Sequence, residues 1–178
     1  MKEYSVVCPV QSETIKKIID NLKQSIYISE YYEIVSPESL CVPFIYLLEG
    51  NTQQNINTFI KELEKAFSYI DEFLATPHNL SIYINQLIGI NISIDNEVLL
   101  QIFHKLRMEA CKYLKIDRGE LRFQIFLAKS KKEATVEKYH LCKEELVEIY
   151  KKNNTINILC TKPVLCATHD KIKNVYLS

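Results

Sequence analysis

Glu120-Leu-Arg-Phe-Gln-Ile-Phe-Leu-Ala-Lys-Ser130 follows a strongly patterned helix, alternates for a few positions, then turns apolar before a basic run. It reads as a strand. Val42-Pro-Phe-Ile-Tyr-Leu-Leu-Glu-Gly50 has a similar build and also leads towards a helix. Two such strands facing each other across a cleft predict a two-lobed protein with a site between its lobes. The other elements are read outward from this pair.

Upstream, Tyr4 to Val10 reads as a buried strand ended by Pro9 and polar residues. Ser12 caps a helix whose stripe is Ile15, Ile18, Ile19, Leu22 and Ile26, with Lys16, Lys17, Asp20 and Lys23 outside. Residues 27–39 are tyrosine-rich and read as an irregular connector, because Pro37 donates no ladder hydrogen bond. Cys41 to Glu49 is the next strand, and Gly50-Asn51-Thr52 is its turn and helix cap. The second helix carries Ile56, Phe59, Ile60, Leu63, Phe67 and Ile70 on one face, and Ala75-Thr-Pro-His-Asn79 breaks the pattern.

Leu80 to Ile84 and Gly89 to Ile94 predict an antiparallel pair with Gly89 near the bend. Asp95 or Asn96 caps a third helix bearing Val98, Leu99, Ile102, Phe103, Leu106, Ala110 and Tyr113, which ends around Ile116. Past the 120–130 strand comes a helix over about Lys143 to Lys152, with Leu146, Ile149 and Tyr150 inward. Thr155 to Cys160 is another strand, and Val175 to Leu177 closes a last hairpin. Strands and helices recurring twice in similar order predict an α+β chain in which antiparallel sheets, flanked by helices, enclose a central cleft. Residues 1–178 are expected to form one two-lobed domain, a length that suits lobes sharing a core.

Lys+Arg and Asp+Glu balance at 22 each, so the whole-chain charge makes no case for nucleic acid or membrane. Any basic surface is local, as around Lys115, Arg118, Arg122, Lys129, Lys131 and Lys132. No run approaches the roughly 18 apolar residues of a membrane span, and the start lacks a signal-peptide core. The six cysteines are scattered without a C-x-x-C pair, which predicts reduced thiols, no structural metal and a cytoplasmic setting. No cofactor is expected.

Arg122-Phe-Gln-Ile-Phe-Leu-Ala-Lys129 resembles the second motif of the 2H phosphoesterases, the group with RNA 2′,5′-ligase-like proteins and cyclic nucleotide phosphodiesterases. That motif is often written R-P-H-x-T-L-A-R. Gln124 stands in the histidine's place and Phe126 in the Thr/Ser's, while Leu127-Ala128-Lys129 keeps the tail. Pro43-Phe-Ile-Tyr-Leu47 is similar to the first motif, with Ser36-Pro-Glu-Ser-Leu40 as its lead-in. Two registers fit there. One puts Cys41 and Pro43 in the histidine and Thr/Ser positions, the other Phe44 and Tyr46, and they present opposite strand faces.

In that family one imidazole takes a proton and the other gives one, which suits a pKa near neutrality. The hydroxyls stabilise charge on phosphate oxygens. Gln124 hydrogen-bonds but shuttles no proton, and Phe126 binds no phosphate. Losing acid and base costs roughly 10²–10⁴-fold each, so the resemblance implies a scaffold without its chemistry. His78, His104, His140 and His169 lack a hydroxyl two residues on, and His78-Asn-Leu-Ser81 is one residue too long.

The candidate cleft residues are Cys41, Phe44, Tyr46, Gln124, Phe126 and Lys129, none of them catalytic. The first expectation is a degenerate 2H phosphoesterase-like protein that binds RNA or a nucleotide between its lobes. One alternative is a protein-interaction scaffold whose cleft Phe44 and Phe126 fill, with Tyr27 to Tyr32 as a contact surface. The other is an active 2′,5′- or cyclic phosphodiesterase using residues outside the motifs.

Overall fold

The computed structural model describes residues 4–83, 87–119, 121–131, 135–153 and 157–167. In chain order its elements are β1 (Tyr4–Gln11), α1 (Glu13–Gln24), α2 (Ile26–Tyr31), β2 (Tyr32–Ile34), β3 (Cys41–Leu47), α3 (Gln53–Ala66) and β4 (Glu72–Ile82). There follow β5 (Leu87–Ser93), α4 (Glu97–Tyr113), β6 (Gln124–Ser130), α5 (Val136–Lys152), β7 (Ile158–Thr161) and β8 (Val164–Ala167). The chain is α+β, and every strand pairing is antiparallel among the described residues.

Local chemistry sets the helix ends. Ser12 accepts a hydrogen bond from the Ile15 amide (3.3 Å), and α1 buries Ile15, Ile18, Ile19 and Leu22. The stripe stops there. Ser25 closes α1 and caps α2, which leaves Ile26 75% exposed instead of extending the stripe. Residues 26–34 are thus a short helix and a strand, not the irregular connector that the tyrosines suggested. Glu145 of α5 holds this junction by accepting from the Ser25 hydroxyl and from the Tyr27 and Ile28 amides. Its charge suits the N-terminal end of α2.

Thr52 caps α3, whose C-cap is Phe67, so Ile70 lies beyond the helix. Asn96, not Asp95, caps α4, and Val98 faces outward rather than joining the core stripe. Residues 75–79, read as a break, belong to β4. Pro77 is tolerated there because His78 is the extra residue of a bulge between the pairs Pro77↔Ile92 and Asn79↔Asn91. Pro9 likewise sits inside β1, opposite Cys41. Gly89 lies in mid-strand rather than at the bend. Helix α5 begins at Val136, ahead of the expected Lys143. Residues 154–156 and the Val175–Leu177 hairpin fall outside the described residues.

The eight strands among the described residues order as β2-β6-β5-β4-β7-β1-β3, with β8 also on β1. Strand β7 is the join: it pairs Glu72–Ala75 of β4 on one side and Val10–Gln11 of β1 on the other. Beyond this four-residue strip the strands separate into two wings, β1/β3/β8 and β2/β6/β5/β4. Helices α3 and α4 pack together, and α1, α2 and α5 form a second group. Each wing contributes apolar side chains to the core, as in Val6, Cys8, Val42 and Ile45, or Ile88, Ile90, Ile125 and Leu127. Strands β3 and β6 meet across the cleft that remains, as the two-lobed reading requires.

Candidate functional site

The cleft between β3 and β6 is a cavity of about 190 Å³, whose lining includes Pro43, Phe44, Tyr46, Gln124 and Phe126. Sequence had left two registers for the first strand, and neither holds along its whole length. Val6 pairs with Ile45 and Val7 with Pro43, so Phe44 is an extra, bulged residue. A bulge breaks the two-residue alternation and re-aims side chains. Pro43, Phe44 and Tyr46 consequently share one cavity wall. Cys41 is buried and does not line the cavity. On β6 a second bulge, at Leu127, separates the pairs Gly89↔Phe126 and Ile88↔Ala128. Past it Lys129 pairs with Leu87 and Glu33, and of these three only Leu87 lines the cavity.

Both phenylalanines are buried, yet they do different things. The Phe44 ring packs edge-on against Phe103 at 4.5 Å, and Phe103 also meets Phe67, Phe73 and Phe123. Phe44 thereby ties the cleft floor to the core. Phe126 lies opposite Gly89 and packs edge-on against Tyr83 at 5.9 Å. A Cβ on Gly89 would meet the Ile125 carbonyl at 2.8 Å and the Phe126 ring at 3.2 Å, so the glycine makes room for that ring.

Polar groups complete the walls. Gln124 donates to Asn91 Oδ1 (2.9 Å), which also accepts from the Tyr83 hydroxyl (2.9 Å). Asn91 in turn donates to Asn79 (2.9 Å), and Asn79 to Ser81 (2.8 Å). This ladder runs along one face of β4, β5 and β6 and pins the Gln124 amide. Burial is the main force pushing the Tyr46 phenol well above its usual range, with Cys41 and Asp117 adding to it, so Tyr46 remains a hydrogen-bond donor.

Two arginines join the lining, Arg107 from α4 and Arg122 from the approach to β6, along with Asp117. Arg107 donates to the carbonyls of Asp117 (3.2 Å) and Gly119, fixing the 117–119 turn. The Asp117 amide donates to the Tyr46 carbonyl (3.0 Å), which binds that turn to β3. Arg107 and Asp117 carried no motif signal in the sequence. A lone arginine on a helix face becomes legible only when the fold brings it to the cleft. A shallower hollow of about 530 Å³ adjoins the cavity, sharing Leu121, Arg122 and Gln124 and reaching Tyr83 and Asn91.

The wall groups can bind an anion and donate hydrogen bonds. His78, His104 and His140 are exposed on three different elements and do not line the cavity, and His169 lies outside the described residues. Among the described residues no cluster of three His, Cys, Asp or Glu side chains is placed to hold a metal ion, and the cysteines are free thiols. No described helix is long and apolar enough to cross a membrane.

No family model and no curated protein sequence matches the chain. Solved structures do. A protein of unknown function from Agrobacterium tumefaciens superposes with a TM-score of 0.66 at 14% identity, covering 96% of this chain and 83% of that one. LigT from E. coli, a 2H phosphoesterase, gives 0.57 at 13% identity over 76% of each chain. TT0787 of Thermus thermophilus gives 0.56 at 14%, covering 93% and 81%. At such identities the likeness is one of fold, and the fold is that of the 2H phosphoesterases.

Proposed function

We propose that this 2H phosphoesterase-like fold, spanning residues 1–178 as one domain, serves in a cytoplasmic setting as a non-catalytic binder of nucleotide or RNA phosphate. The observation carrying the reading is the cavity wall itself. Arg107 and Arg122 bring two positive charges against the one carboxylate of Asp117, Tyr46 a hydroxyl and Gln124 an amide, around a space of about 190 Å³. Pockets for drug-sized ligands run about 300–1,000 Å³, so this one suits a phosphate group rather than a whole nucleotide. The adjoining hollow with Tyr83 and Asn91 has room for the attached sugar and base. Its aromatic and amide groups suit a stacked, edge-bonded base. The family's paired-imidazole proton transfer has no counterpart in the wall, because Gln124 and Phe126 occupy the motif positions and no described histidine lines it.

Calorimetric titration with 5′-AMP, 5′-UMP and a short RNA with or without its terminal phosphate tests the reading. Binding that requires the phosphate and weakens with salt is the expected result. Absence of binding at millimolar ligand overturns it. Turnover of a 2′,3′-cyclic nucleotide by the purified chain would instead restore the phosphodiesterase alternative. A second reading, a protein-interaction scaffold with a filled cleft, draws on the burial of Phe44 (5% exposed) and Phe126 (8% exposed). It predicts no nucleotide binding at all.

A further inference from the structure

A hollow larger than the cleft cavity lies away from it. It is a groove of about 970 Å³ between the start of β4 and the first turn of α4. Three large apolar side chains line it while standing open to solvent: Tyr69 (98% exposed), Val98 (66%) and Leu74 (58%). Convergence of several such side chains in one hollow marks an interaction site, whereas scattered ones need no explanation.

The backbone adds a second, independent feature. Residues Glu72–Ala75 pair with β7 along one edge, and β5 begins pairing with β4 only at Thr76. The other edge of Glu72–Ala75 has no strand partner among the described residues, and it borders the groove. An open edge is a template for a further strand. The charge is one-sided as well. Asp71, Glu72 and Asp95 line the groove, and no lysine or arginine does. Lys162 reaches Asp71 at 2.9 Å, and the Thr76 and Ser93 hydroxyls bond Asp95 at 2.6 and 2.8 Å, which holds both carboxylates in place and lowers the Asp95 carboxyl below its usual range.

We propose that this groove docks an extended basic segment of a partner protein. The segment pairs its backbone with Glu72–Ala75, seats alternate apolar side chains on Leu74 and Val98, and turns Lys or Arg towards Glu72 and Asp95. An extended chain fits because its side chains alternate with period two, one set inward and one set to the acidic rim. This site is separate from the nucleotide reading and does not depend on it.

The test is selection of a phage library of random dodecapeptides on the whole chain, followed by titration of the synthesised consensus by fluorescence polarisation. The expected consensus alternates apolar residues with Lys or Arg. Its affinity falls about tenfold or more with Leu74→Lys and with Val98→Lys, as for a residue central to an interface. Both positions are exposed, so folding survives, which circular dichroism checks. N-methylation of alternate peptide amides also abolishes binding. A library without enrichment, an acidic consensus, or a peptide indifferent to both variants overturns the proposal. So does an N-methylated peptide that binds as well as its parent, or displacement of the peptide by 5′-AMP.

Discussion

The cleft and the β4 groove are opposite in almost every respect. The cleft is small, walled by bulged strands, and brings in two arginines against one aspartate, whereas the groove is open, partly apolar and lined by carboxylates without lysine or arginine. One chain with balanced charge therefore offers two surfaces of contrary sign. Whole-chain neutrality reveals neither, since binding responds to local fields. The cleft is also built on core packing, while Tyr69, Leu74 and Val98 of the groove stand outside the core. Mutations should separate the two.

The largest expected effect is on stability. Phe44→Ala removes the ring that joins the cleft floor to Phe103, and should cost about 3–5 kcal/mol in urea unfolding. Leu74→Ala in the groove should stay within about 0.5 kcal/mol. Equal costs would erase the distinction.

Next comes affinity. Arg107→Ala should weaken 5′-AMP binding by about 1.5–3 kcal/mol, roughly tenfold to a hundredfold, and leave the groove peptide's affinity unchanged. If both ligands respond, the two surfaces are coupled.

A subtler probe is Gly89→Ala. Its Cβ would crowd the Ile125 carbonyl and the Tyr83 and Phe126 rings, a cost of about 1–3 kcal/mol in thermal or urea unfolding. It should open the cleft wall without reaching the groove. A neutral result would mean that Phe126 does not depend on that space.

The smallest effect is in pH. Burial pushes the Tyr83 phenol up to about 12. A folded value raised above the unfolded one, near 10, means that stability is fully present below about pH 10 and lost as pH rises towards 12. Urea midpoints should fall over that window, less steeply in Tyr83→Phe than in the parent.

Several features were legible in the sequence because they rest on local rules. The stripe Ile15, Ile18, Ile19 and Leu22 predicted α1, and the apolar frames of 42–50 and 120–130 predicted facing strands. What stayed hidden depends on pairing. Pro77 looked like a breaker because a bulge at His78 shows only when β5 is laid alongside. The choice between Cys41 and Phe44 could not be made from alternation, since the Phe44 bulge suspends alternation there. Arg107 and the open edge of Glu72–Ala75 are likewise visible only in three dimensions.

Strand β7 carries a consequence for how the chain comes to be folded. Pro9 near the start takes its neighbour Thr161 from 152 residues downstream, and β1 waits for β7 and β8 on the same edge. During synthesis on the ribosome, both wings must stand with bare margins until the last strands emerge. Such distant closure is slow and leaves nascent chains prone to sticking together, so chaperone demand should be concentrated in that interval.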